Sequence, residues 1–199
     1  RFAYDAANRL VRVTDPLGAV TSTEYDAAGR VTARVDPLGR RTTLGYDTLG
    51  RRVRTTSPDG TSRTVSYDNN GNLASETDAA GRTTTYGYDE LNRRVRVTRP
   101  DGTSTQTVYT AGGRIAAEID ARGNRTDLAY DSAGRLTGRQ MPPVANGPGG
   151  PLARPTVTFT LDALGAPTRI IDPNGRATAM SYDAGGRLAQ TTYADGATG

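Results

Sequence analysis

Three side chains with chemistry of their own recur through these 199 residues at one interval. Tyr4, Tyr25, Tyr46, Tyr67, Tyr88, Tyr109 and Tyr130 stand 21 residues apart, and Tyr182 continues the series after one interruption. An Asp follows almost every Tyr, as Asp26 follows Tyr25, and an Arg such as Arg30 comes four residues after that Asp. Rows of carboxylates could ligate calcium or relay protons. Rows of guanidiniums could track phosphates, and rows of phenol rings could stack on sugars.

Each chemistry makes a further demand that the sequence does not meet. Calcium β-rolls space Gly and Asp as GGxGxD, and that spacing is absent. Acid–base and nucleophilic catalysis lean on His or Cys, and the chain has neither. No carboxylate pair stands apart from the repeat, and the glycine loops match no phosphate-binding fingerprint. No catalytic residue, cofactor site or metal site is expected. All 25 basic residues are Arg and the net charge is +4. That is modest for a nucleic-acid binder, which concentrates charge on one face, so no specific nucleic acid is expected as a partner.

The elements that hold these side chains explain their spacing. With each Tyr as offset 0, nine units fill the chain, the eighth opening on Leu161 after a step of 31. The ten extra residues fall around Met141–Gly150, "MPPVANGPGG", a Pro/Gly-rich loop insertion in one array over residues 1–199. Asp at offset 1 and Gly or Asn at offset 4, as in Asp26 and Gly29, are the signature of a tight turn: Asp bonds the backbone ahead of it and Gly takes positive φ. A second such turn closes on Gly39 and its equivalents, often as DPLG. Between turns lie short runs rich in Val, Thr, Leu and Tyr, which are strand compositions. The unit is a β-hairpin and the chain a meander of about 18 strands, with no helix.

Register follows from counting. A three-residue loop with a G1 bulge at the Tyr-Asp turn sets offset 0 opposite offset 6. Two identical turns would repeat the pairing every 20 residues, and a period of 21 would then flip successive tyrosines across the sheet. One turn must differ or carry a bulge, and we assign the odd residue to a four-residue loop at the Asp-Pro turn. All tyrosines then share one face with Leu10, Val31, Leu73, Ile115 and Leu136, and with Phe2, Leu44, Val65, Tyr86, Leu128, Phe159 and Met180. The ladder breaks at Arg52 and Arg94, where Val53 and Val95 come one place late. In this register the tyrosines are a packing spine, the aspartates serve turns, and each Arg pairs with the Asp of its own turn, as Arg30 with Asp26.

A hydrophobic fraction of 35% and a mean hydropathy of -0.59 suit a sheet that meets water on both faces. No run of residues is long and apolar enough for a membrane span. The array should leave open sheet edges, which favour self-association.

Units such as YDAAGRVTARVDPLGRRTTLGYD and YDSAGRLTGR resemble the RHS/YD-repeat family, and the resemblance covers essentially the whole chain. It implies an all-β fold in which strand-turn-strand units coil into a hollow β-shell. Similar repeats build bacterial Rhs polymorphic toxins and the shell components of insecticidal Tc toxins, where the shell encloses a C-terminal toxic domain, and the teneurins, where the barrel serves cell adhesion. The function so implied is that of a non-enzymatic structural segment. Its partners would be the rest of a parent shell and an enclosed toxin domain, in an exported protein at the cell surface or outside it. The alternative is an adhesin or carbohydrate-binding module with outward tyrosines. The protease-like core segment and variable toxin domain of Rhs toxins are not found in these residues, so no catalytic residue is carried over. A chain that opens on Arg1 and starts and stops within a unit is expected to be a segment of a longer protein.

Overall fold

A turn former every ten or eleven residues, with β-branched and aromatic residues between, leaves no stretch for a helix. The computed structural model describes residues 1–145 and 152–199. Among them are twenty strands and no helix, and so none that is long and apolar enough to cross a membrane. They form two compact units, Arg1–Gly102 and Thr103–Gly199.

The first unit is an antiparallel meander in which each strand pairs with the next. Its strands are β1 (Phe2–Tyr4), β2 (Leu10–Thr14), β3 (Val20–Tyr25), β4 (Val31–Val35), β5 (Arg41–Tyr46), β6 (Arg52–Thr56), β7 (Ser62–Tyr67), β8 (Leu73–Thr77), β9 (Thr83–Tyr88) and β10 (Arg94–Thr98). The second begins with β11 (Ser104–Tyr109), β12 (Ile115–Ile119), β13 (Arg125–Tyr130) and β14 (Leu136–Gln140). In the insertion, β15 (Val144–Ala145) pairs with β16 (Leu152–Ala153) as a side hairpin, and residues 146–151 of this stretch lie outside the described residues. The meander resumes with β17 (Thr156–Leu161), β18 (Pro167–Ile171), β19 (Ala177–Tyr182) and β20 (Leu188–Thr192). Because β14 pairs directly with β17, the insertion leaves the ladder intact.

Both kinds of turn close alike, which corrects the expected four-residue loop. At the Tyr-Asp turn the N–H of Asp26 donates to the carbonyl of Arg30 at 2.9 Å and that of Gly29 to the carbonyl of Asp26 at 3.0 Å. At the Asp-Pro turn Asp36 donates to Arg40 at 3.0 Å and Gly39 to Asp36 at 2.9 Å. Gly29 and Gly39 have φ of 81° and 76°, and Asn8 and Asn92 reach 59° and 58° at equivalent places. The odd residue sits in the strand instead. Tyr25 pairs with Val31 but Glu24 pairs with Ala33, so Thr32 is extra, and the same shift recurs beside the other tyrosines. The reason is the Asp side chain. Asp36 accepts the N–H groups of Leu38 and Arg40, each at 2.9 Å, and a longer loop would break that set.

The bulge also repairs the apparent break in the apolar ladder. Arg52 pairs with Tyr46 and Arg54 with Gly45, so Val53 and Arg52 together oppose the one tyrosine. Pairing across the Asp-Pro turns has no shift. The tyrosines of the first unit therefore share one face, and so do Tyr109, Tyr130 and Tyr182 in the second.

The sheet is one layer thick. The chain exposes 13257 Å², against about 9000 Å² for a compact globule of its mass. Among the described residues only Ala33 and Ala117 are fully buried apolar side chains, and both lie on the face opposite the tyrosines. On that face Arg41 on β5 reaches Glu24 on β3 across β4, with Nη2 of Arg41 donating to Oε2 of Glu24 at 2.7 Å. That guanidinium holds the Glu24 carboxyl below its usual range.

Candidate functional site

A β-bulge takes a carbonyl out of the ladder, and a polar group left unpaired is costly. Here the next hairpin supplies the donor. The hydroxyl of Tyr25 donates to the carbonyl of Leu10 at 3.0 Å, Tyr46 to Val31 at 2.8 Å, Tyr88 to Leu73 at 3.0 Å and Tyr182 to Pro167 at 2.9 Å. Each acceptor is the residue paired with the preceding unit's Tyr, or with Leu161 in the last case. A phenol therefore does what a Phe at the same place could not.

The Arg at offset 5 ties the same two hairpins together. Nε of Arg30 donates to Oδ2 of Asp26 at 2.7 Å, and its guanidinium carbon lies 4.9 Å from the ring centre of Tyr46 in the next unit. Arg9 repeats this over Tyr25 at 4.9 Å and Arg51 over Tyr67 at 4.2 Å. Arg9 also donates from Nη1 to the carbonyl of Asp26 at 2.9 Å, and Arg135 to that of Asp162 at 2.7 Å. The Arg–Asp pair expected within one turn is present, and it is half of a joint that reaches into the following turn.

Cover by the next tyrosine separates these pairs from the ones on the opposite rim. The side chains of Arg9, Arg30 and Arg51 are 31%, 37% and 31% exposed, whereas Arg40 and Arg82 at Asp-Pro turns are 63% and 69% exposed. Gly29 belongs to the joint too. A Cβ there would meet Nη1 of Arg9 at 3.9 Å, and one at Gly50 would meet Nη1 of Arg30 at 3.4 Å. Gly39 faces open space and serves its turn alone.

Several joint carboxylates share one electrostatic pattern. The N–H of Arg30, and then its guanidinium, hold the Asp26 carboxyl below the usual carboxylate range; Asp131 and Asp183 are held in the same way by Arg135 and Arg187. Partial burial, and then Glu76, push the Tyr86 hydroxyl up. The Asp26, Asp131 and Asp183 carboxylates therefore stay ionised at neutral pH. Among the described residues no three of His, Cys, Asp and Glu stand close enough to hold a metal ion.

Two exceptions show how the joint tolerates change. Asn72 replaces the Arg and Asn92 replaces the next unit's Gly, and Nδ2 of Asn72 donates to Oδ1 of Asn92 at 2.7 Å. Thr110 replaces the Asp, so Arg114 has a hydroxyl rather than a carboxylate at its turn and lies 6.0 Å from the Tyr130 ring. Sequence reading missed Arg154, which roots the insertion. It forms an ion pair with Asp127 at 2.6 Å and donates to the carbonyl of Met141 at 3.1 Å. Its place in "PLARP", just outside the repeat, carries no local signal.

A wall one strand thick, built of 21-residue hairpins locked by Asp, Arg and Tyr from successive units, defines a β-hairpin repeat protein. The chain belongs to the RHS-repeat family: the family model described as RHS Repeat matches residues 4–40, 25–62, 67–104, 109–142 and 157–198. No curated protein matches. The fold is also found in two crystal structures, of TcdB2-TccC3-TEV and of TcdB2-TccC3 without its hypervariable C-terminal region. Each is 20% identical, with a TM-score of 0.65, over 96% of this chain. The chain spans 11% of the length of each of those proteins.

Proposed function

We propose that these residues are a wall segment of a larger shell that encloses a toxic polypeptide until delivery, and that the segment is not itself an enzyme. The observation that carries this reading is that the recurring Asp, Arg and Tyr are engaged in joining one hairpin to the next. What remains in each unit is an antiparallel ladder with two water-compatible faces, suited to separating an interior from an exterior. The barrier is steric: backbone hydrogen bonds seal the wall strand to strand, and the joints brace it on the tyrosine face. In this reading the partners are further repeats of the parent protein and the enclosed polypeptide, and the parent is exported.

Electron microscopy of the parent protein tests the reading. A closed cavity holding the protected polypeptide is expected, and a parent without an interior cavity overturns it. The carbohydrate-binding alternative needs tyrosine faces free for sugar, yet guanidiniums cover the rings of Tyr25, Tyr46 and Tyr67. Glycan binding lost on Tyr67→Ala and Tyr88→Ala, with folding retained, would reinstate it.

A further inference from the structure

The joints do not use every arginine. On the tyrosine face of the first unit lies an open hollow of about 1200 Å³, floored by Val65, Tyr67 and Leu73. Arg52 and Arg63 border it from adjacent strands. Arg52 is paired with Tyr46, and Arg63 is two residues from Val65 on the same strand, so both rise from this face. Arg99 reaches the hollow from the rim, where it opens the turn that Asp36 and Asp78 open in other units. An Arg there replaces a local negative charge with a positive one.

These three guanidiniums differ from their neighbours. Arg51 is taken by Asp47 and the Tyr67 ring, and Arg82 by Asp78. Arg52, Arg63 and Arg99 are exposed and have no ion pair or side-chain hydrogen bond among the described residues. Unpaired like charges around a concave apolar floor raise the local potential and favour an anionic occupant. We propose that the hollow holds an acidic stretch of the enclosed polypeptide, with carboxylates against Arg52, Arg63 and Arg99 and apolar side chains on the floor. This rests on the shell reading and names which part of the cargo the wall would grip. Glu76, Asp78 and Asp101 interrupt the positive lining. A phosphate polymer, with a charge at every step, fits that lining worse than a peptide whose charges alternate with apolar groups.

The test is fluorescence anisotropy on the dilute 199-residue chain with a labelled peptide alternating Glu and Leu. A Lys–Leu peptide and a thymidine oligonucleotide run in parallel. The Glu–Leu peptide should bind, and Arg52→Gln, Arg63→Gln and Arg99→Gln together should weaken it roughly tenfold. Arg12→Gln with Arg169→Gln, on the other face and away from the hollow, should leave binding unchanged. If the triple variant does not fold, Arg63→Gln alone should show a smaller loss in the same direction. Equal binding by the folded variants, no binding by the wild-type chain, or tighter binding of the oligonucleotide overturns the proposal. Each of these outcomes leaves the shell reading standing, because that reading is decided by the cavity of the parent.

Discussion

The hydroxyl of Tyr46 donates to the carbonyl oxygen of Val31, 2.8 Å away, at the residue where β4 begins to bulge away from β3. One unit opens a gap in its own ladder and the next unit fills it. Tyr46→Phe removes only that donor. It should cost about 1 kcal/mol, or about 2–4 °C of melting temperature for a chain of this size. Tyr4→Phe is the control: Tyr4 is 56% exposed and its hydroxyl has no bond among the described residues. Calorimetry giving the same small shift for both would show that water satisfies the bulge carbonyl as well as the phenol does.

Arg30 is held by Asp26 through Nε, and its guanidinium carbon sits over the Tyr46 ring, 4.9 Å from its centre. Lysine keeps the charge and loses both the planar group over the ring and the forked donors. Arg30→Lys should lower the melting temperature by roughly 1–3 °C. Arg187 makes the same pair with Asp183, but it is 85% exposed and no guanidinium–ring contact is seen for it. Arg187→Lys should therefore change little, and a loss equal to that at Arg30 would place the effect in the turn rather than in the joint.

Asn72 and Asn92 occupy the places where other units have Arg and Gly. Asn72→Arg alone would drive a guanidinium against the Asn92 side chain and should destabilise. Adding Asn92→Gly should recover much of the loss. A double-mutant cycle should return a coupling of about 0.5 kcal/mol or more. Additive effects would mean that the two positions do not meet in solution.

Thr110 is the one turn-opening residue after a repeat Tyr that is not Asp. Thr110→Asp should complete the pair with Arg114 and raise the melting temperature by roughly 1–3 °C. The same change should tighten the chain near Tyr109 to Arg114, seen as slower amide exchange at the Arg114 N–H. No change in either measurement would show that a hydroxyl serves this turn as well as a carboxylate.

The joint aspartates predict a defined pH dependence. Asp26, Asp131 and Asp183 have pKa values below the ordinary 3.8, so the folded state binds fewer protons than the unfolded state as pH falls. Their contribution to stability is complete above that ordinary value and is lost as pH drops through the lowered ones. Melting temperature should be flat from neutral pH to about 5 and fall below about 4. Asp26→Asn should remove part of the acid fall without adding one at neutral pH. An unfolding transition near pH 6 would contradict this, since the chain has no histidine.

Much of the fold was legible in the chain because its information is local. Asp26 and Gly29 define a turn by their own backbone preferences, and Thr21 to Tyr25 alternate as a strand without reference to anything distant. The tyrosines' common face followed once one residue of each 21 was set outside the regular pairing. The place of the odd residue did not, since a longer loop at Asp36 and a bulge at Thr32 satisfy the same count. What decides between them is the full set of N–H groups that the Asp36 carboxylate accepts, visible only with the backbone in place.

The sequence by itself determined the hairpin unit, the two turns and the single apolar face, because each depends on residues within one repeat. Only the tertiary structure decided what Arg30 and Tyr46 do for one another, and which arginines are left for a partner. Those contacts run between units 15 or more residues apart, and a linear repeat places such residues in identical surroundings on paper. In space Arg51 lies under its neighbour's turn and against the Tyr67 ring, whereas Arg52, one residue on, stands in the open at the edge of a hollow.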